Sequence, residues 1–74
     1  MKSLSDLKPE NTAVIVLIQG GREACHRLAE LGLLPCEKLK MLHNNGCGPV
    51  TICVKGSKLS IGHGLARKIF IKEE

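Results

Sequence analysis

The chain is nearly devoid of aromatic residues: Phe70 stands alone, with no Trp and no Tyr. Single-stranded nucleic acid is held where bases stack on aromatic side chains. Without that platform only phosphate contacts from scattered lysines remain, so nucleic acid is an outlying alternative among partners. Acids that could do chemistry are equally scarce. Asp6 is the sole aspartate among seven carboxylates, and the rest fall at the chain ends, on the polar side of a helix or at a strand start. Catalysis needs acid, base or nucleophile groups converging in a cleft, and neither GxxxxGK[ST] nor GxGxxG is present to cradle a phosphate. Nothing points to an enzyme. Four cysteines, Cys25, Cys36, Cys47 and Cys53, are spaced 11, 11 and 6 apart with no CxxC, which supports neither a zinc ribbon nor a thioredoxin-type site. Long apolar runs are missing too. The longest, Ala13 to Ile18, is far short of the roughly 18 residues of a membrane span. Lys2 is followed by Ser, Leu, Ser, Asp, Leu and Lys, unlike a leader peptide. The expectation is a cytoplasmic protein with reduced thiols.

What is present suffices for one domain, residues 1–74, with 43% hydrophobic residues and hence an aliphatic core. A chain this short buries only about 60% of its extended surface, so a compact fold is required. The net charge of +4 comes from eleven cations spread along the chain, as on a solvated basic surface.

Helical periodicity occurs in one stretch, Gly20 to Pro35. At 100° per residue Ala24, Cys25, Leu28, Ala29 and Leu31 share an apolar arc, opposite Arg22, Glu23, His26, Arg27 and Glu30. Glu23 and Arg27 have the spacing of an i,i+4 pair. Gly32 stands where a left-handed cap is wanted, and Pro35 prevents continuation. Elsewhere the chain reads as strands. Thr12–Ile18 is apolar on both faces, so one side is expected to face the core and the other to receive the helix. Glu37–His43, Val50–Val54 and Leu59–Ile61 alternate, and Ile69 and Ile71 face inward in a last strand. Asn44–Pro49 and Lys55–Ser57 are turns. Leu4 and Leu7 are expected to clasp the N-terminal segment to the body. The predicted fold is mainly β with one helix: a small SH3-like β-barrel of about five strands. The helix lies between strands 1 and 2, and a short helical turn, 62–67, precedes the last strand. Closure would remove exposed strand edges. An oligonucleotide-binding barrel competes, but usually places its helix between strands three and four.

Metal-ligating types are present, and Cys and His suit Fe(II) or Zn(II). His43 and Cys47 flank the 44–49 turn and form the best local pair, although two donors hold a metal weakly. Cys25 lies on the apolar arc as a small core residue, while His26 faces solvent. Of the consecutive leucines Leu33 and Leu34, at most one can face the core, leaving the other as an exposed anchor of the kind interfaces favour.

The succession Leu7, Gly20-Gly21, Arg27-Leu28, Glu30-Leu31-Gly32-Leu33, Pro35, Gly48-Pro49-Val50, Ile61, Ala66 and Ile69 resembles the FeoA family of ferrous iron transport proteins along essentially the whole chain. The resemblance implies an SH3-like domain and a cytosolic accessory role beside a FeoB-type GTP-binding iron permease. The membrane would then be reached only through that partner. Cys36 departs from the family pattern, which usually carries Gly after this Pro, and it raises the question of whether the turn needs positive φ. The loops around Leu33, Leu34, Cys36, Asn45 and His63 are the expected partner interface, with self-association as another use.

Overall fold

The structure, a computed structural model, describes residues 2–74. Six strands form one antiparallel sheet in the order β1-β6-β2-β3-β4-β5. They are β1 (Lys2–Ser3), β2 (Thr12–Ile18), β3 (Lys38–His43), β4 (Val50–Val54), β5 (Ser57–Ile61) and β6 (Ile69–Glu73); helix α1 is Gly21–Glu30 and α2 is His63–Ala66. β2 to β5 follow one another as a meander, and β6 returns to the free side of β2. Alternation decides which side chains enter the core. Leu39 and Met41 of β3, Val50, Ile52 and Val54 of β4, and Ile69 and Ile71 of β6 are buried, while Lys38 and Lys40 between them are exposed. The β4–β5 hairpin turns on Lys55 (φ 52°) and Gly56 (φ 79°), the two left-handed residues that match the twist of its strands. The core is wholly aliphatic and holds no buried polar side chain among the described residues.

The N-terminal clasp forms as expected: Leu4, which opens a 3-10 turn, and Leu7, which follows it, are fully buried. Asn44 locks it in place. Its Nδ2 donates to the carbonyls of Ser5 (3.0 Å) and Leu7 (2.8 Å), while its Oδ1 accepts from the Gly46 amide (2.9 Å). Lys2 also holds Glu73 at 2.6 Å, and that carboxylate keeps the Lys2 ammonium above its usual range.

Four expectations are corrected. The strands number six, because Lys2–Ser3 pairs with Ile71 and Phe70. The hydrogen-bonded ladder does not close on itself: β1 and β5 are its two ends. The outer side of β2 is not covered by the helix, since Val16 and Leu17 remain 40% and 36% exposed. The connection Gln19-Gly20 is short and leaves α1 at the end of β2, where the Cys25 thiol donates to the Ile18 carbonyl at 3.6 Å. Finally, Glu23 and Arg27 make no ion pair; the i,i+4 contact is His26 Nε2 to Glu30 Oε1, 3.7 Å.

Asn44→Ala removes three hydrogen bonds and leaves two part-buried carbonyls to find water. It is expected to lower stability by about 1–3 kcal/mol in urea denaturation with an unchanged folded spectrum.

Candidate functional site

The exit of α1 is fixed by backbone hydrogen bonds. The Gly32 amide donates to Ala29 O (2.9 Å) and the Leu33 amide to Leu28 O (2.9 Å), with Gly32 at φ +87°. This is a Schellman motif, which brings the residue after the glycine against the last turn of the helix. Leu33 and Leu28 are accordingly both fully buried. A β-carbon on Gly32 would meet nothing within 4 Å, so glycine is required there by conformation alone.

The chain then turns again at once. The Glu37 amide donates to Leu34 O at 3.1 Å, with Pro35 second and Cys36 third at φ +75°. That is the pattern of a type II turn, in which proline suits the second place and glycine or asparagine the third. Cys36 and Glu37 are tied straight into the sheet, the Cys36 amide to Ile15 O (2.7 Å) and the Ile15 amide to Glu37 O (2.9 Å).

This geometry sorts the expected interface residues. Leu33 is core and offers no surface, a correction that follows from its place in the Schellman motif. Leu34 is 45% exposed. Leu31, expected on the buried arc, is 46% exposed because it is the C-cap, with φ −89° and ψ 0°, where the helical wheel ends. Cys36 and Asn45 are exposed, and Cys25 is half-buried beside β2. His63 opens α2; it is half-buried, and its Nδ1 is buried with no hydrogen-bond partner. His43 ends β3 and Cys47 lies in the following loop, both exposed. Among the described residues no three Cys, His, Asp or Glu side chains converge closely enough to hold a metal. The pair supplies at most two of the three or four protein ligands that a Zn(II) site uses. None of the described helices is long and apolar enough to cross a membrane.

The family model for the FeoA domain matches residues 2–73. The chain belongs to the FeoA family. It is 37% identical over 73 residues to "Putative Fe(2+) transport protein A" of Methanocaldococcus jannaschii, covering 99% of this chain and 88% of that one. The crystal structure of an iron uptake regulatory protein, FeoA, superposes with a TM-score of 0.92 at 32% identity, over 97% of this chain and 96% of that chain. The SH3-like class is therefore that of the FeoA fold. A manganese-dependent transcriptional repressor shares the fold alone, with a TM-score of 0.90 at 16% identity, and this chain spans 36% of its length. The names of these FeoA relatives describe transport and regulation, not an enzyme activity.

At φ +75° Cys36 carries the strain of a left-handed residue that is not glycine. Cys36→Gly relieves about 1–2 kcal/mol of that strain but loosens the unfolded chain by about 0.4–1 kcal/mol. The difference spans about 0–1.6 kcal/mol in favour of glycine, centred on about 0.8 kcal/mol, and is read as a higher urea midpoint. For the metal pair, anaerobic Fe(II) or Zn(II) titration is expected to give binding no tighter than about 10 μM. A tighter stoichiometric complex, lost in His43→Ala/Cys47→Ser, would establish a site there.

Proposed function

We propose that this chain is a cytoplasmic accessory protein of ferrous-iron uptake that binds the FeoB-type GTP-binding iron permease through the exit of α1. One observation carries the reading: Leu31 and Leu34, two large apolar side chains, stand exposed on either side of a doubly hydrogen-bonded, glycine-capped turn. A rigid loop loses little entropy when it docks, so apolar anchors held this way serve binding well. Family membership supplies the iron-uptake setting. Surface contact is the means of action that the two exposed leucines support. Cys36 and Asn45 lie on exposed loops and His63 on a half-buried turn; they are secondary contact candidates.

The test is a pull-down with the cytosolic part of the permease. Leu34→Glu is expected to weaken capture at least tenfold, a loss of about 1.4 kcal/mol or more, while circular dichroism and the urea midpoint stay close to wild type. A folded Leu34→Glu protein that is captured as well as wild type counts against the interface. If the same substitution instead dissolves a dimer in sedimentation equilibrium, the patch serves self-association.

A further inference from the structure

The two ends of the sheet are built differently. β1 is two residues long and offers little edge to extend. β5 is five residues long and regular. Its ladder with β4 runs from Val54 and Ser57 to Val50 and Ile61 without a shift. Other ladders of the sheet are interrupted. Ile15 pairs with Ile71 but Leu17 with Phe70, so Val16 is the extra residue of a β-bulge. The β3–β4 register likewise shifts between Met41 and His43. Short length, bulges and prolines guard strand edges against other chains, and β5 has none of the three. Its one charged residue, Lys58, is exposed and sits opposite Cys53, on the outer side of the strand from Leu59 and Ile61.

The turn at Lys55-Gly56 sets which backbone groups of β5 are used. In a two-residue hairpin the residues flanking the loop exchange both hydrogen bonds. Val54 and Ser57 are therefore a bonded pair, as are Ile52 with Leu59 and Val50 with Ile61. Lys58 and Ser60 fall between these pairs and aim their amides and carbonyls away from β4. Among the described residues no backbone hydrogen bond from outside that ladder reaches Ser57–Ile61. Ser57, Lys58 and Ser60 are exposed, and Leu59 is half-buried against the core. Two amides and two carbonyls thus stand in line along a free edge, a pattern that an extended strand completes.

We infer that β5 pairs antiparallel with β5 of a second copy, joining the two sheets across a two-fold axis at Leu59. The edge is complementary to itself, as a two-fold contact requires. With Leu59 on the axis, Lys58 of each copy faces Ser60 of the other. These are the residues whose backbone groups point outward, so every outward amide meets an outward carbonyl. Leu59 meets its own copy in a non-bonded pair, where Cα atoms approach to about 4.5 Å, and the exposed side of each leucine is covered. No charge stands directly opposite a like charge. The neighbouring registers fit less well. An axis at Lys58 would oppose two ammonium groups, which destabilises a strand pair. An axis at Ser60 would set Lys58 against Gly62, where β5 has ended and α2 is about to begin. The contact uses none of the helix-exit residues, and the inference does not depend on the permease reading.

The test is sedimentation equilibrium of the full chain up to about 1 mM. The seam is one short strand pair, so a weak monomer–dimer equilibrium is expected, with Kd on the order of 0.1 mM. Ser60→Pro removes an outward amide from each copy and no bond of the β4 ladder, a place where an edge strand tolerates proline. It should raise Kd at least about tenfold while circular dichroism stays that of the folded chain. Leu34→Glu should leave Kd unchanged. Should Ser60→Pro not fold, wild-type ¹⁵N amide shifts between about 50 μM and 1 mM decide the matter, with changes expected at Lys58 to Ser60. A chain that is monomeric at about 1 mM overturns the inference. So does a dimer whose shifts centre on Leu31 to Leu34 and which Leu34→Glu dissolves. A monomeric chain whose β5 amides shift only when the permease's cytosolic domain is added overturns self-pairing in favour of a strand from that partner.

Discussion

Two hydrogen bonds at the end of α1, from Gly32 to Ala29 and from Leu33 to Leu28, hold the rest of the arrangement in place. They turn Leu33 onto Leu28 in the core and send the chain out at Leu34. Within four residues the backbone is hydrogen-bonded to Ile15 and β3 begins. No slack separates the helix cap from the β2–β3 register. A slip of one residue there would send Leu39 and Met41 outward and Lys38 and Lys40 inward. In a small aliphatic domain with no disulfide among its free cysteines and no aromatic core residue, such local constraints stand in for bulk.

Two exposed apolar patches arise where regular structure breaks. The helix exit exposes Leu31 and Leu34 because capping and turn geometry leave them no inward direction. The outer sheet exposes Val16 and Leu17 because the bulge repeats one direction twice. The two patches differ in their surroundings. The sheet patch lies among lysines contributed by three strands, while the exit patch sits on a turn made rigid by backbone bonds.

Much of this was legible in the sequence, and the exceptions have physical causes. The helix was visible because its stop signals, Gly32 and Pro35, are local. β3 and β4 were visible because their alternation is local too. β1 was not, since a two-residue strand pairs through its backbone with residues nearly seventy positions away and carries no pattern. The bulge was hidden because Thr12–Ile18 is apolar throughout, so a change of parity leaves no mark on its composition. Leu31 was misplaced because a helical wheel was continued onto a capping residue. That at most one of Leu33 and Leu34 faces the core was legible, while which of the two it is stayed open. A glycine cap implies that the next residue packs on the last turn, and that rule singles out Leu33 for the core. Cys36 was visible as a departure from the resembled pattern, and its φ of +75° is one that glycine adopts without strain. The two long-range bonds of Asn44 had no sequence signal.

The central claim is that the exit of α1 is the contact surface for the iron permease. It is tested most directly by titrating ¹⁵N-labelled protein with the permease's cytosolic domain and following amide shifts. The account predicts perturbations centred on Leu31 to Glu37, with the β4–β5 hairpin undisturbed. Saturable binding that leaves Leu31 to Glu37 unshifted would contradict it.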